Sequence, residues 1–163
     1  MHYPTGWVDP FGLEGCPWEK IDSFRAKMQL PVLGRRIPTS NDGLQTVAFV
    51  SIENSQFFGM NRLAIPGLEF ASKRKEWFRK IYKSTGVEPS TISKVAADAE
   101  RLSLVRAYKR ITKNGGQMPK EVTIFVERPT CDFCKNYLPL LRESMGIEKL
   151  VVYNKGVSNP LIF

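Results

Sequence analysis

Two cysteines three residues apart are the side chains best suited to chemistry in this chain. They lie in the segment Pro-Thr-Cys-Asp-Phe-Cys that ends at Cys134 and is separated by two residues from a preceding run of β-branched and aromatic residues. On a helix, residues at i and i+3 share one face, so both sulfurs can reach one metal ion. A helix N-terminus also stabilises thiolates, the form that zinc binds. The spacing therefore predicts two zinc ligands, with a metal-free thiol pair or a redox pair as alternatives.

A catalytic zinc needs three protein ligands and a water, so this pair requires a further ligand from elsewhere in the chain. The triplet Asp98-Ala99-Glu100 lies on the preceding predicted helix, and its two acids flank an apolar stripe. Acids beside a buried stripe are unfavourable unless they are paired or bound to a cation. A metal held by the cysteines would supply that cation. The triplet is a weak signal by itself, because acids on helices are usually solvated.

The histidine and cysteine counts exclude several kinds of enzyme. The single histidine is His2, so triads, Cys-His dyads, HNH-type nucleases and His-rich zinc hydrolases lack their internal histidine. Any proton carrier must be a carboxylate, a lysine or a tyrosine. The odd count of three cysteines does not fit a disulfide framework and favours a cytosolic working compartment.

The charge of the chain favours a polyanionic partner. Lys and Arg number 24 against 16 acids, a formal net charge of +8. A surplus of this size is typical of nucleic-acid binding, although a solvated basic surface would give the same total. A predicted helix over 67–82 mixes basic residues with Trp77 and Phe78 and is a candidate for following a phosphate backbone.

The elements that must position these residues follow from hydrophobic periodicity. Residues 1–45 are rich in Pro and Gly and predict a leader with one short helix near 18–28. After the leader, the pattern has the order β-β-α-α-β-α-β, which implies a sheet with helices packed on it. No apolar run is long enough for a membrane helix, and no signal peptide is present. The predicted strands are 45–52, 56–60, 122–126, 150–153 and 161–163, and the predicted helices after the leader are 67–82, 89–112 and 131–144.

The combination of motifs resembles the zinc-dependent cytidine deaminase superfamily, which uses H-x-E on one helix and P-C-x-x-C on the next. Residues 123–141, followed by the strand 150–153, resemble the bacterial toxin branch of that superfamily, and the resemblance covers about 45–163. It implies an α/β fold of three layers, α/β/α, with a central mixed sheet of about five strands and helices on both faces.

The resemblance also implies roles for the metal-site residues. Asp98, Cys131 and Cys134 would be the ligands of a zinc ion (Zn), with Asp98 standing where the family usually has histidine or cysteine. A carboxylate is a legitimate zinc ligand, but its charge makes the metal a weaker Lewis acid. Glu100 matches the family glutamate, which is not a ligand and transfers protons during hydrolysis. The implied reaction is deamination of cytosine to uracil in nucleic acid, with DNA favoured over RNA and single strands favoured over duplexes.

Three further residues are candidates for binding the substrate. Asn61 matches a family asparagine that contacts the nucleotide, and a turn asparagine is the alternative interpretation. Phe58 is a candidate for stacking on an extruded base, although a core position is the alternative. Thr130 precedes the cysteines, where it also suits a helix N-cap.

The first residues resemble the D-P-x-G-L signature that closes the core of RHS-repeat proteins, here Asp9 to Leu13. That resemblance implies cleavage just after Leu13 with participation of Asp9. It divides the chain into the end of an RHS core (1–13), a linker (14–44) and a deaminase-like toxin domain (45–163). The implied context is an effector secreted by one bacterium that acts in the cytoplasm of a target cell, with a cognate immunity protein. We expect a monomer without a membrane partner. A nuclease toxin and a non-enzymatic zinc or nucleic-acid binding module remain alternatives, as does a plain Gly/Pro-rich linker for the first residues.

Overall fold

A computed structural model describes residues 16–37, 45–60, 99–130 and 132–163, together with Lys83, and for residues 132–134 it describes the backbone only. No helix in this part of the chain has the length and apolar character needed to cross a bilayer. The elements are α1 (Pro17–Lys27), β1 (Val47–Ile52), β2 (Ser55–Met60), α2 (Ala99–Lys113), β3 (Glu121–Val126), α3 (Asp132–Ser144), β4 (Lys149–Asn154) and β5 (Leu161–Ile162).

The strands form one mixed sheet in the order β2-β1-β3-β4-β5. Strands β3 and β4 are parallel and are joined through α3, whereas the other neighbouring strands pair antiparallel. The β1–β2 hairpin closes on Glu53 and Asn54, both with positive φ, as a two-residue type I′ turn requires. Asparagine tolerates this conformation better than most residues, so the turn chemistry agrees with the hairpin.

Helices cover both faces of the sheet because each strand alternates between two apolar clusters. Helix α1 packs on one face through Ile21, against Phe49 and Phe125. Helices α2 and α3 cover the other face through residues such as Leu104 and Leu141. This is the three-layer α/β/α arrangement with a mixed five-stranded sheet that the sequence predicted, and the fold class is therefore confirmed.

Helices α2 and α3 end in the same way. Gly115 and Gly146 have φ of 79° and 73°, and each is followed by an N–H that bonds back to a carbonyl five residues earlier. This is the Schellman motif, in which glycine accepts the left-handed conformation without a Cβ penalty. The helix ends predicted at 112 and 144 agree to within one residue with the observed ends at Lys113 and Ser144.

The short helix predicted near 18–28 is present as α1, and it is an integral part of the packed domain. Ile21 and Arg25 are fully buried beneath the sheet. Part of the segment that the sequence indicates as a linker therefore contributes to the core. The predicted helix over 67–82 and the first part of the helix over 89–112 lie outside the residues that the structure describes.

Candidate functional site

One row of paired residues crosses four strands at the end of the sheet where the candidate site lies. Gly59 of β2 is paired with Ala48 of β1, Ala48 with Val126 of β3, and Val126 with Asn154 of β4. We call these four residues the site row. The row lies at the carboxyl ends of the parallel strands β3 and β4, where open α/β sheets place their ligand crevices.

Helix α2 is pressed against the β2 end of the site row. A Cβ built on Gly59 would lie 2.3 Å from the carbonyl oxygen of Ala99 and 2.5 Å from the amide nitrogen of Ser103. Only glycine permits this approach of helix to strand. The contact fixes the first described turn of α2, which contains Glu100, beside the site row.

Glu100 is buried, with 6% of its surface exposed, next to Ala99 and Leu102, which are also buried. The Ser103 hydroxyl donates a hydrogen bond of 2.8 Å to the carbonyl oxygen of Glu100 and so reinforces this turn. A carboxylate held in such an enclosed position is suited to taking up and releasing a proton during a reaction. The structure thus gives the predicted catalytic glutamate a defined and sheltered place.

The loop between β3 and α3 is anchored by Asn154, at the other end of the site row. The side-chain nitrogen Nδ2 of Asn154 donates to the carbonyl oxygen of Arg128 at 2.7 Å and to the hydroxyl of Thr130 at 3.1 Å. Asn154 is 4% exposed, and Thr130 is buried too. These two bonds fix the backbone and a side chain immediately before Cys131 in the sequence.

The same loop is held from the opposite face by a fully buried ion pair. Glu127 follows β3, and its carboxylate accepts hydrogen bonds of 2.7 to 3.0 Å from the guanidinium of Arg25 in α1. It also accepts a bond of 2.9 Å from the amide of Val47. The Arg25 guanidinium further donates to the carbonyl oxygens of Pro31 and Gln45. A buried charge pair needs such additional bonds to offset its desolvation, and here they tie α1, β1 and β3 together.

Lys155, which follows Asn154, extends this network to the segment after α1. Its ammonium group donates to the carbonyl oxygens of Gly34 and Arg36. Burial lowers the pKa of Lys155, although the nearby carboxylates of Asp22 and Glu127 act in the opposite direction. The loop that precedes the cysteines is thus supported on both sides by buried polar groups.

The predicted zinc ligands fall mainly outside the described residues. This applies to Asp98 and Cys131, and Cys134 is described by its backbone alone, in the first turn of α3. Among the side chains that are described, no group of three His, Cys, Asp or Glu residues could hold a metal ion. The donor chemistry nevertheless fits zinc, because the anchored loop leads directly into a cysteine pair at a helix start, where thiolates are stabilised.

Besides Thr130, the structure describes one more predicted substrate-binding residue, Phe58. Phe58 stacks on Phe24 of α1 with ring centroids 4.5 Å apart, on the sheet face opposite α2 and Glu100. A role for Phe58 in stacking on a base stays a prediction, and its described contacts are those of a packing residue. Asn61 and the cleavage residues Asp9 and Leu13 lie outside the described part of the chain.

Sequence reasoning missed the residues that anchor the loop. Asn154 and Glu127 each come at the end of, or directly after, an apolar strand, and polar residues at that place in parallel strands are a usable signal for a site. Arg25 carries no comparable signal, because it lies in a segment whose composition indicates a linker. Its partner is 102 residues away in the sequence.

The mixed five-stranded sheet with helices on both faces is a deaminase-like α/β fold. A family model described as MafB19-like deaminase matches residues 20–157. The chain therefore belongs to the MafB19-like deaminase family, and hydrolytic deamination is the activity that this membership supports. Comparison with curated proteins and with solved structures gives no match.

Proposed function

We propose that this domain is a zinc-dependent deaminase that converts cytosine to uracil in nucleic acid, with single-stranded DNA as the favoured substrate. One observation carries the proposal: the site row brings the turn of buried Glu100 and the anchored loop before Cys131 to the same end of the sheet. The row spans roughly 10 Å from β2 to β3, since neighbouring strands lie about 4.8 Å apart. That separation suits a small metal site with a base bound above it.

The proposal assigns roles in zinc binding, proton transfer and substrate orientation. Cys131, Cys134 and Asp98 would hold the zinc ion, which when bound lowers the pKa of a coordinated water to about 7. Glu100 would take one proton of the attacking water and deliver it to N3 of the base, and would then carry the second proton, from the hydroxyl added at C4, to the departing amine. Water adds at C4, the C4–N bond breaks, and ammonia leaves as uracil forms. Asn154 holds the Thr130 hydroxyl in place, and Thr130 and Asn61 would orient the nucleotide.

A nucleic-acid substrate is supported by the net charge of +8 and by the chemistry of this enzyme class. A base inside a duplex must be extruded at the expense of a few kcal/mol, which makes single strands easier substrates. The toxin context is part of the same proposal. The Asp9–Leu13 motif supports cleavage after Leu13 from an RHS-type carrier, secretion, action in the target-cell cytoplasm and a cognate immunity protein.

The test compares the full chain with Glu100→Gln, a variant of similar volume that cannot carry the proton. Each zinc-loaded protein is incubated with single-stranded DNA and RNA oligonucleotides that contain one cytosine, and the products are sequenced. We expect C-to-U conversion by the wild type and its loss in Glu100→Gln, with DNA converted faster than RNA.

Two other results would point to the alternative functions. Strand breaks without base conversion would indicate a nuclease. Stoichiometric zinc without any base change would indicate a binding module on the deaminase fold. Metal content supplies an independent readout, because Cys134→Ser should lose zinc while Glu100→Gln should retain it.

A further inference from the structure

The second half of α2 carries a row of cations on one helical face. Arg106, Lys109, Arg110 and Lys113 follow one another at spacings of three, one and three residues, which places them on a single side of the helix. Arg110 and Lys113 are exposed, and Arg106 and Lys109 are partly exposed. We call these four residues the basic stripe.

The charge of the basic stripe is not neutralised by its sequence neighbours. Residues 101–120 contain six Lys and Arg residues and no Asp or Glu. Within the described part of the chain, Arg110 and Lys113 form no ion pair. A run of one sign on an exposed helix face attracts a ligand of the opposite sign, and the attraction is strongest for a linear polyanion.

The basic stripe is fixed in relation to the candidate site. Arg106 donates a hydrogen bond of 2.7 Å to the carbonyl oxygen of Phe58, which ties the near end of the stripe to the edge strand β2. Arg106 lies six residues after Glu100, about 9 Å further along the helix axis. From there the stripe continues for about 10 Å away from the site row.

We infer that the basic stripe binds the phosphates of the nucleic-acid strand whose target base enters the site beside Glu100. The inference rests on the proposed function and adds to it the surface that the strand follows. Helix α2 would then serve both purposes, since its first described turn carries the proton-transferring carboxylate and its last turns carry the phosphate contacts. A strand bound along this line reaches the site without crossing the face of the sheet that α1 covers.

The experiment compares a variant that loses two positive charges from the basic stripe with a control variant that loses two positive charges from another exposed part of the domain. The test variant is Arg110→Gln/Lys113→Gln, and the matched control is Lys27→Gln/Arg35→Gln. The control residues are also exposed, and they belong to α1 and the segment after it. Both variants lower the net charge by two. Binding of a fluorescently labelled, 20-nucleotide single-stranded DNA is measured by anisotropy over a series of salt concentrations, in the Glu100→Gln background so that no turnover occurs.

Two lost phosphate contacts should reduce the slope of log K against log salt by about 1.4, since each contributes about 0.7 for a single strand. We expect Kd near physiological salt to rise roughly tenfold in the stripe variant and less than twofold in the control. In the active background, the stripe variant should raise KM and leave kcat at saturation unchanged. Equal slopes and equal Kd values in the two variants would overturn the inference, and so would a fall in kcat without a change in binding.

The outcome separates this inference from the proposed function. Loss of salt-dependent binding in the stripe variant, with no base conversion by the wild type, would retain the binding surface and reject the deaminase proposal. Base conversion by the wild type with unchanged binding in the stripe variant would retain the deaminase and reject the surface. Circular dichroism of the stripe and control variants, each beside its parent protein, checks that the exposed substitutions leave the fold intact.

Discussion

Replacing Gly59 with alanine tests whether the contact between β2 and α2 positions the candidate site. The new Cβ would meet the carbonyl oxygen of Ala99 at 2.3 Å, the amide nitrogen of Ser103 at 2.5 Å and the Cβ of Leu102 at 2.9 Å. Favourable contacts between heavy atoms lie near 3.5 Å, so the closest approach is short by about 1 Å. Two of the three atoms are helix backbone and cannot rotate away. The substitution therefore requires α2 to move off the strand.

The expected loss of stability follows from these contacts. Overpacking a core by a methyl group typically lowers the free energy of unfolding by about 1–3 kcal/mol. The loss at Gly59 should lie at the upper end of that range, because the new Cβ meets backbone atoms of α2. Gly59 has no positive φ, so alanine fits the strand conformation and restricts the unfolded chain, which offsets about 0.4–1 kcal/mol. The net destabilisation should be about 2 kcal/mol. For a chain of this size, that lowers Tm by about 4–8 °C.

The movement of α2 should also impair catalysis, because Glu100 travels with the helix. Misplacement of a reacting group by about 1 Å reduces the rate roughly 10²-fold. Gly115→Ala is the matched control, since this glycine has φ of 79° and nothing within 4 Å of its built Cβ. Alanine there should lower stability by about 1–2 kcal/mol through backbone strain while leaving Glu100 in place.

The two variants are compared by urea unfolding and by the deamination rate on a single-cytosine oligonucleotide. We expect both to be destabilised and only Gly59→Ala to lose most of its activity at a temperature where each protein is folded. Wild-type stability and rate in Gly59→Ala would refute the reasoning. An equal loss of rate in Gly115→Ala would show that the rate follows stability and not the position of α2.

Three further predictions concern the buried polar groups around the loop. Arg25→Met should lower the free energy of unfolding by about 3–5 kcal/mol, because it leaves the carboxylate of Glu127 buried without a counter-charge. In urea unfolding, the double variant Arg25→Met/Glu127→Leu should lose less stability than Arg25→Met. An equal loss in the two variants would contradict this explanation. Asn154→Ala should weaken zinc binding by roughly 10–100-fold, as loss of groups that orient metal ligands does. Competition with a chromophoric chelator measures the zinc affinity, and Asn159→Ala, at an exposed position, is the control. Equal affinities in the two variants would exclude a positioning role for Asn154. Burial lowers the pKa of Lys155 below 10.5, so the folded state holds fewer protons than the unfolded state as the pH approaches that value. The stability of the wild type relative to Lys155→Met should therefore increase with pH in that window, and a constant difference in urea unfolding would count against it.

Much of the fold could be predicted because local patterns and long-range packing agree. The strand β3 is dominated by β-branched and aromatic residues, and it is buried on both faces between α1 and the α2–α3 layer. The hairpin β1–β2 carries β-branched and aromatic residues in its strands and a turn at Asn54 that accepts positive φ. The helix stops at Gly115 and Gly146 follow from glycine chemistry alone.

The candidate site could be predicted only in part, because several of its supports are contacts between distant segments. The position of Glu100 on an amphipathic helix follows from the sequence pattern, and its burial on α2 is observed. Its catalytic role stays a prediction, because Asp98 and Cys131 lie outside the described residues. The partnership of Arg25 with Glu127 has no local signature, since the arginine lies in a Pro/Gly-rich region that composition assigns to a linker. The anchoring role of Asn154 depends on strand register, which places it beside Val126, and one sequence does not determine register.

The pairing of Arg25 with Glu127 also decides where this domain can be joined to another protein. A fusion that begins at residue 45, just before β1, would omit α1. The carboxylate of Glu127 would then be buried without its counter-charge. A junction upstream of Pro17 retains the helix that supplies the matching cation. A fusion of this domain to a targeting protein should therefore include Pro17 to Lys27 as part of the domain, with any flexible linker placed before Pro17.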